Sequence, residues 1–170
     1  QNIMVRDDGV TKVVDFGIAR AANRATRTAT GTLKGKLAYM APEQILGRDV
    51  GPAVDQFALG IVLWELLAGR HLVSRGDLAD GMRTIRDGNF PAIEQVRPDV
   101  PAPLAAAIGL ALAVDREERA TAAELGAALE ACIKASPELA TAMHLAEALR
   151  ARFARVPTAL FQVWGLVSPT

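Results

Sequence analysis

Asp55-Gln56-Phe57-Ala58-Leu59-Gly60-Ile61-Val62-Leu63-Trp64-Glu65-Leu66-Leu67-Ala68 is the stretch on which the fold turns. Together with Val54, its apolar residues cover nearly every face of one helix, and a helix that is apolar all round is buried. It is therefore expected to be the central post of the fold. Gly69 follows as a C′ residue able to take positive φ. Downstream, Leu78–Arg86 reads as an amphipathic helix that ends near Asp87-Gly88-Asn89. Pro91, Pro98, Pro101 and Pro103 punctuate an irregular connector. Leu104–Val114 is a strongly apolar helix. Thr121-Ala122-Ala123-Glu124 is a capping box that opens a helix over Ala122–Cys132. Ser136-Pro137 reads as the start of one more, since proline at the first helical position loses no needed donor.

Upstream of the post the pattern is different. Ala21–Leu37 has neither helical nor strand period and reads as a long polar loop. Ile3-Met4-Val5 and Thr11-Lys12-Val13-Val14 are β-prone runs flanking Asp8-Gly9, which is a strong turn signal, so a hairpin is expected. A strand starting almost at Gln1 suggests that an N-terminal part precedes it. The expected fold class is mainly α, with one small hairpin.

The chain has 170 residues, enough for one domain with a core. With 51% hydrophobic and 22% charged residues it resembles an ordinary globular protein and not a disordered one. Nineteen Lys and Arg balance nineteen Asp and Glu, so no basic field is available to hold nucleic acid, and no nucleic-acid partner is expected. Cys132 is the single cysteine, which excludes an intrachain disulfide framework and suits a reducing cytoplasm. The apolar run Phe57–Trp64 is far too short to span a bilayer. The uncharged end Val156–Thr170 follows Arg150, Arg152 and Arg155 and reads as a tail packed on the domain, the alternative being a truncated membrane anchor. His71 and His144 lack ligand-spaced partners. Cys132 and Trp64 read as interior residues, and Arg150–Arg155 as a solvated helix face.

The candidate chemistry lies in short motifs. Asp15-Phe16-Gly17 directly follows the second strand, Ala41-Pro42-Glu43 follows the threonine-rich loop, Asp55 starts the apolar helix, and Arg119 precedes the capping box. Either tripeptide alone is weak, and an isolated Asp-Phe-Gly is ordinarily a turn. Their order and spacing are specific. Five blocks agree in order: Gln1-Asn2-Ile3-Met4-Val5, Val14-Asp15-Phe16-Gly17-Ile18-Ala19-Arg20, Tyr39-Met40-Ala41-Pro42-Glu43-Gln44, Asp55-Gln56-Phe57-Ala58-Leu59-Gly60 and Asp115-Arg116-Glu117-Glu118-Arg119. On these residues the chain resembles the C-terminal lobe of the bacterial eukaryotic-like (Hanks-type) serine/threonine protein kinases.

The resemblance implies a function for the parent protein: transfer of the ATP γ-phosphate to Ser or Thr of a protein substrate, with Mg²⁺, in bacterial signalling. It implies a kinase catalytic-domain portion over 1–134 and a helical tail over 135–170. Asp15 and Asn2 would be oxygen ligands for Mg²⁺ on the ATP phosphates. Phe16 would report the active or inactive state, and Gly17 would let the backbone turn. Thr26, Thr28, Thr30 and Thr32 lie where the family is phosphorylated, and a phosphate there could pair with Arg20, Arg24 or Arg27. Glu43 and Arg119 resemble the buried pair that ties the activation segment to the lobe. Asp55 resembles the residue that bonds catalytic-loop backbone, and an ordinary N-cap is its plain reading.

Two departures stand out. The catalytic base Asp of the family's His-Arg-Asp motif would lie upstream of Gln1, as would the whole N-lobe with its Gly-rich loop and ATP-contacting Lys. The chain alone is then expected to be inactive. Lys36 stands where many serine/threonine kinases have Thr. The alternative reading is a pseudokinase or truncated lobe that acts as a protein-binding module.

Overall fold

The computed structural model describes residues 2–14, 37–73, 77–136 and 141–153. Two short antiparallel strands, β1 (Ile3–Val5) and β2 (Thr11–Val13), form a hairpin with Ile3 opposite Val13 and Val5 opposite Thr11. The helices are α1 (Pro42–Ile45), α2 (Ala53–Ala68), α3 (Leu78–Asp87), α4 (Ile93–Val96), α5 (Ala102–Ala111), α6 (Ala122–Ala135) and α7 (Ala142–Phe153). The described residues are thus mostly helical with one small sheet, as expected. They fall into two compact units. The hairpin and α7 belong to one, and α1 to α6 to the other.

In the helical unit, α2 is the post. Phe57, Ile61 and Trp64, spaced at i, i+4 and i+7, are fully buried. They meet Ile85 of α3, Ile93 of α4 and Ile108 of α5 in one cluster. Each such side chain contributes about 1.5–3 kcal/mol by leaving water. Phe57 meets Phe90 edge to face, with ring centres 6.5 Å apart. Trp64 buries its ring and donates its indole N–H to the Pro91 carbonyl at 3.0 Å. Gly60 lets α2 approach α5: a Cβ there would lie 3.0 Å from the Cβ of Ala111 and from a Leu112 methyl. Gly69 ends α2 with φ 65°, and its N–H donates to the Glu65 carbonyl. The capping box of α6 is formed, with Thr121 N–H donating to Glu124 at 2.8 Å and Glu124 N–H to the Thr121 hydroxyl at 3.2 Å.

Several expectations are corrected. Helix α2 starts at Ala53, so Asp55 lies in its first turn instead of starting it. The helix is also not covered all round, since Leu66 is 74% exposed and Leu59 is half open. Composition reports which residues are apolar and not what packs on them. The proline-punctuated connector contains a helical turn, α4, because Ile93 and Val96 share a face and Ile93 is buried. Pro101 and Pro103 belong to the start of α5, which runs over Ala102–Ala111 instead of Leu104–Val114. Ser136 is the C-cap of α6, its N–H donating to the Ile133 carbonyl; the helix expected to open at Ser136-Pro137 falls on residues 137–140, outside the described residues, and the last helix is described from Ala142. Cys132 is half-buried.

Candidate functional site

Local structure brings Glu43 and Arg119 together across 76 residues. Pro42 opens α1, where its missing N–H costs nothing, and the Ala41 N–H donates to the Gln44 side chain at 2.9 Å. Glu43 is thereby fixed in the first turn. At the other end, Asp115 accepts from the Glu117 N–H at 3.0 Å and caps a 3₁₀ turn over Arg116–Glu118, and Arg119 leaves that turn in extended conformation.

The Arg119 side chain is 0% exposed and that of Glu43 is 6% exposed, so the pair is shielded from water. The guanidinium meets the carboxylate in a fork, Nη1 to Oε1 at 2.8 Å and Nη2 to Oε2 at 3.0 Å. The remaining donors reach three backbone carbonyls: Nε–H to Ala113 at 3.0 Å, Nη1 to Ala53 at 2.8 Å and Nη2 to Val114 at 3.2 Å. All five N–H groups are therefore satisfied, which is what a buried arginine needs. The cation also sits 5.0 Å from the centre of the Phe57 ring. Burial pushes the Glu43 carboxyl up. The hydrogen bond from Arg119, the residue's own backbone N–H and the charges of Arg119 and Arg116 outweigh it, and the carboxyl is held below its ordinary value. One residue thus ties α1, the start of α2 and the end of α5 together.

Asn2 is exposed at the open end of the hairpin, and its backbone carbonyl accepts from the Val14 N–H at 2.8 Å. Asp15 is the next residue in sequence. Asp15, Phe16, Gly17, Thr26, Thr28, Thr30, Thr32 and Lys36 lie outside the described residues. The Asp55 carboxylate is exposed in the first turn of α2, where a negative charge is favourable, and it makes no hydrogen bond among the described residues. It edges an open, almost wholly apolar groove of about 210 Å³ with Gln56 and Leu59 of α2 and Ala122, Leu125, Gly126 and Leu129 of α6.

Glu65 is a polar hub with no motif around it in the sequence. Its carboxylate accepts from the Tyr39 hydroxyl at 2.8 Å and the Leu72 N–H at 3.1 Å, and lies 3.2 Å from His71. It anchors the segment before α1 to the end of the post. A signal was present, since Glu65 is the one charge inside the run Gln56–Ala68. Among the described residues no group of His, Cys, Asp and Glu is arranged to hold a metal, and no helix is long and apolar enough to cross a membrane.

The protein kinase domain family matches residues 1–128. The chain is similar to the tyrosine-protein kinase MasK of Myxococcus xanthus, 36% identical over 166 residues that cover 92% of this chain and 26% of the relative. It is similar to the serine/threonine-protein kinase PknL of Mycobacterium tuberculosis, 36% identical over 133 residues, 77% of this chain and 33% of the relative. It is also similar to the serine/threonine-protein kinase PknA of that organism, 39% identical over 100 residues, 58% of this chain and 23% of the relative. The chain spans about a quarter to a third of the length of these relatives. With the kinase match running from the hairpin through the first half of α6, this chain belongs to the protein kinase domain family.

Proposed function

We propose that this chain is the lower-lobe portion of a cytoplasmic protein kinase that transfers the ATP γ-phosphate to Ser or Thr hydroxyls of a protein substrate. The family match over residues 1–128 carries this reading. PknL and PknA, whose names specify serine/threonine kinases, support the choice of hydroxyl, while MasK is named a tyrosine kinase. Residues 1–134 form the catalytic-domain portion and 135–170 a helical tail.

Within this reading Asn2 and Asp15 hold Mg²⁺. The donor set fits, since an amide oxygen and a carboxylate are the hard oxygen ligands this ion takes. Asn2 is exposed, and its backbone carbonyl is already committed to Val14, so the side-chain amide is the free donor. When bound, the ion neutralises phosphate charge during transfer. Phe16 and Gly17 set the state of the activation segment, and a phosphate on Thr26, Thr28, Thr30 or Thr32 orders it by pairing with nearby arginines. Lys36 lies in the same segment. Glu43 and Arg119 anchor that segment's end, and Asp55 is the counterpart of the family residue that bonds catalytic-loop backbone. The catalytic base, from the loop just ahead of Asn2, and the roof of the nucleotide pocket, from the N-lobe, are supplied by segments outside these 170 residues.

A second reading, a kinase fold kept as a protein-binding module, has the open apolar groove beside Leu59 and the exposed Leu66 in its favour. The parent's sequence ahead of Gln1 separates the two. The kinase reading expects His-Arg-Asp ending five residues before Asn2, with a Gly-rich loop and a Lys further back. A substituted Asp at that position would overturn it in favour of the binding module.

A further inference from the structure

The hairpin has little to hold it. Its paired segment is three residues long on each strand, and a lone two-stranded ribbon of that size is marginal in water. Ile3, Val5, Val10 and Val13 are all at least 38% exposed. Gly9, at the turn, is the one buried residue of the described hairpin. It takes φ +82°, and a Cβ there would run into the Ala142 carbonyl and lie 3.0 Å from the Ala146 N–H nitrogen, so the turn sits directly on the first turn of α7. Ala146 is 2% exposed. Ala142, Ala146 and Arg150 follow at i, i+4 and i+8, one stripe of the helix. At the end of that stripe Arg150 donates to the Asp7 carbonyl at 3.0 Å. The turn is tightened from within as well, with the Gly9 N–H donating to the Arg6 carbonyl at 2.9 Å and the Val10 N–H to the Asp8 carboxylate at 3.0 Å.

The turn is therefore clamped at one end of a ribbon whose other end, about 10 Å away, holds Asn2 against Val14 and leads into Asp15. We propose that α7 braces this hairpin, and that Arg150 is a positioning residue for Asn2. The helix lies beyond residue 128, where the family match ends, so the brace is an addition to the matched core. As a role in phosphate transfer it rests on the reading of Asn2 and Asp15 as metal ligands. As a statement about the hairpin it stands on the contacts alone.

Two readouts on the 170-residue chain test it: amide hydrogen exchange, and binding of Mn²⁺ alone. In Arg150→Ala, exchange of the Val14 and Arg6 amides quickens about two- to tenfold, while α2 amides keep their rates. Ala146→Leu retains a good helix former and wedges the turn away, and it has the larger effect at the same amides. Mn²⁺ binding weakens in step, and Arg150→Lys, which still donates to a carbonyl, restores most of both. Val14 exchange unchanged in both Arg150→Ala and Ala146→Leu would overturn the brace. Asp15→Asn tests the ligand reading separately. Should it leave Mn²⁺ binding intact, the metal assignment fails, and Val14 exchange still decides whether α7 holds the hairpin.

Discussion

Arg119→Met destabilises the helical unit by about 3–5 kcal/mol at neutral pH, the cost of stranding one partner of a buried ion pair. The expected loss comes from three sources. The Glu43 carboxylate is left charged and shielded, and the Ala53, Ala113 and Val114 carbonyls each lose a donor. Phe57 loses the cation over its ring. Lysine does not substitute, because it cannot deliver a planar fork and five directed N–H groups. Urea denaturation of the 170-residue chain measures the effect. Replacing both partners, Glu43→Gln with Arg119→Met, recovers part of the loss, because no charge is then buried alone.

The effect depends on pH in a definite sense. In the native protein the Glu43 carboxyl is held below its ordinary value of 4.5. A depressed carboxylate contributes stability that is present above the unfolded pKa and is lost as pH falls through the folded one. The wild-type chain therefore loses this contribution as the pH drops below about 4.5. In Arg119→Met the lone carboxyl is pushed up by burial, takes up a proton readily in acid, and so costs less there. The gap between variant and wild type narrows from pH 7 to pH 4. A gap that widens in acid would contradict the pair as described.

Asp15→Ala abolishes phosphate transfer by the full-length parent, by about a thousandfold or more, without unfolding it. The reasoning is chemical. Phosphoryl transfer places charge on the phosphate oxygens with little covalent work for the protein, so removal of a metal ligand withdraws the main stabilising charge. Asn2 alone offers a neutral amide oxygen. A folded variant that turns over at the wild-type rate would count decisively against Asp15 as a ligand.

Local signals explain what could be read from the sequence. The Asp8-Gly9 turn, the apolar run ending at Gly69 and the Thr121–Glu124 capping box each depend on neighbours within a few residues, and each is present in the fold. The Glu43–Arg119 pair spans 76 residues and came into view only through the resemblance of its flanking motifs. What stayed hidden depends on distant packing. Leu66 is as apolar as Leu63, and no local pattern shows that only Leu66 faces outward. Glu65 reads as one charge on a helix until Tyr39 and Leu72 are seen to converge on it. Arg150 reads as a solvated side chain, yet it reaches the Asp7 carbonyl 143 positions away.

The central claim is transfer of phosphate to protein hydroxyls, and the most direct measurement is of the product. The full-length parent is supplied with Mg²⁺ and γ-labelled ATP together with a protein substrate. The labelled protein is then hydrolysed and its phosphoamino acids are separated. The account predicts label in phosphoserine and phosphothreonine, and none in a reaction containing Asp15→Ala. A folded parent that transfers no label, or one that yields phosphotyrosine alone, would contradict it.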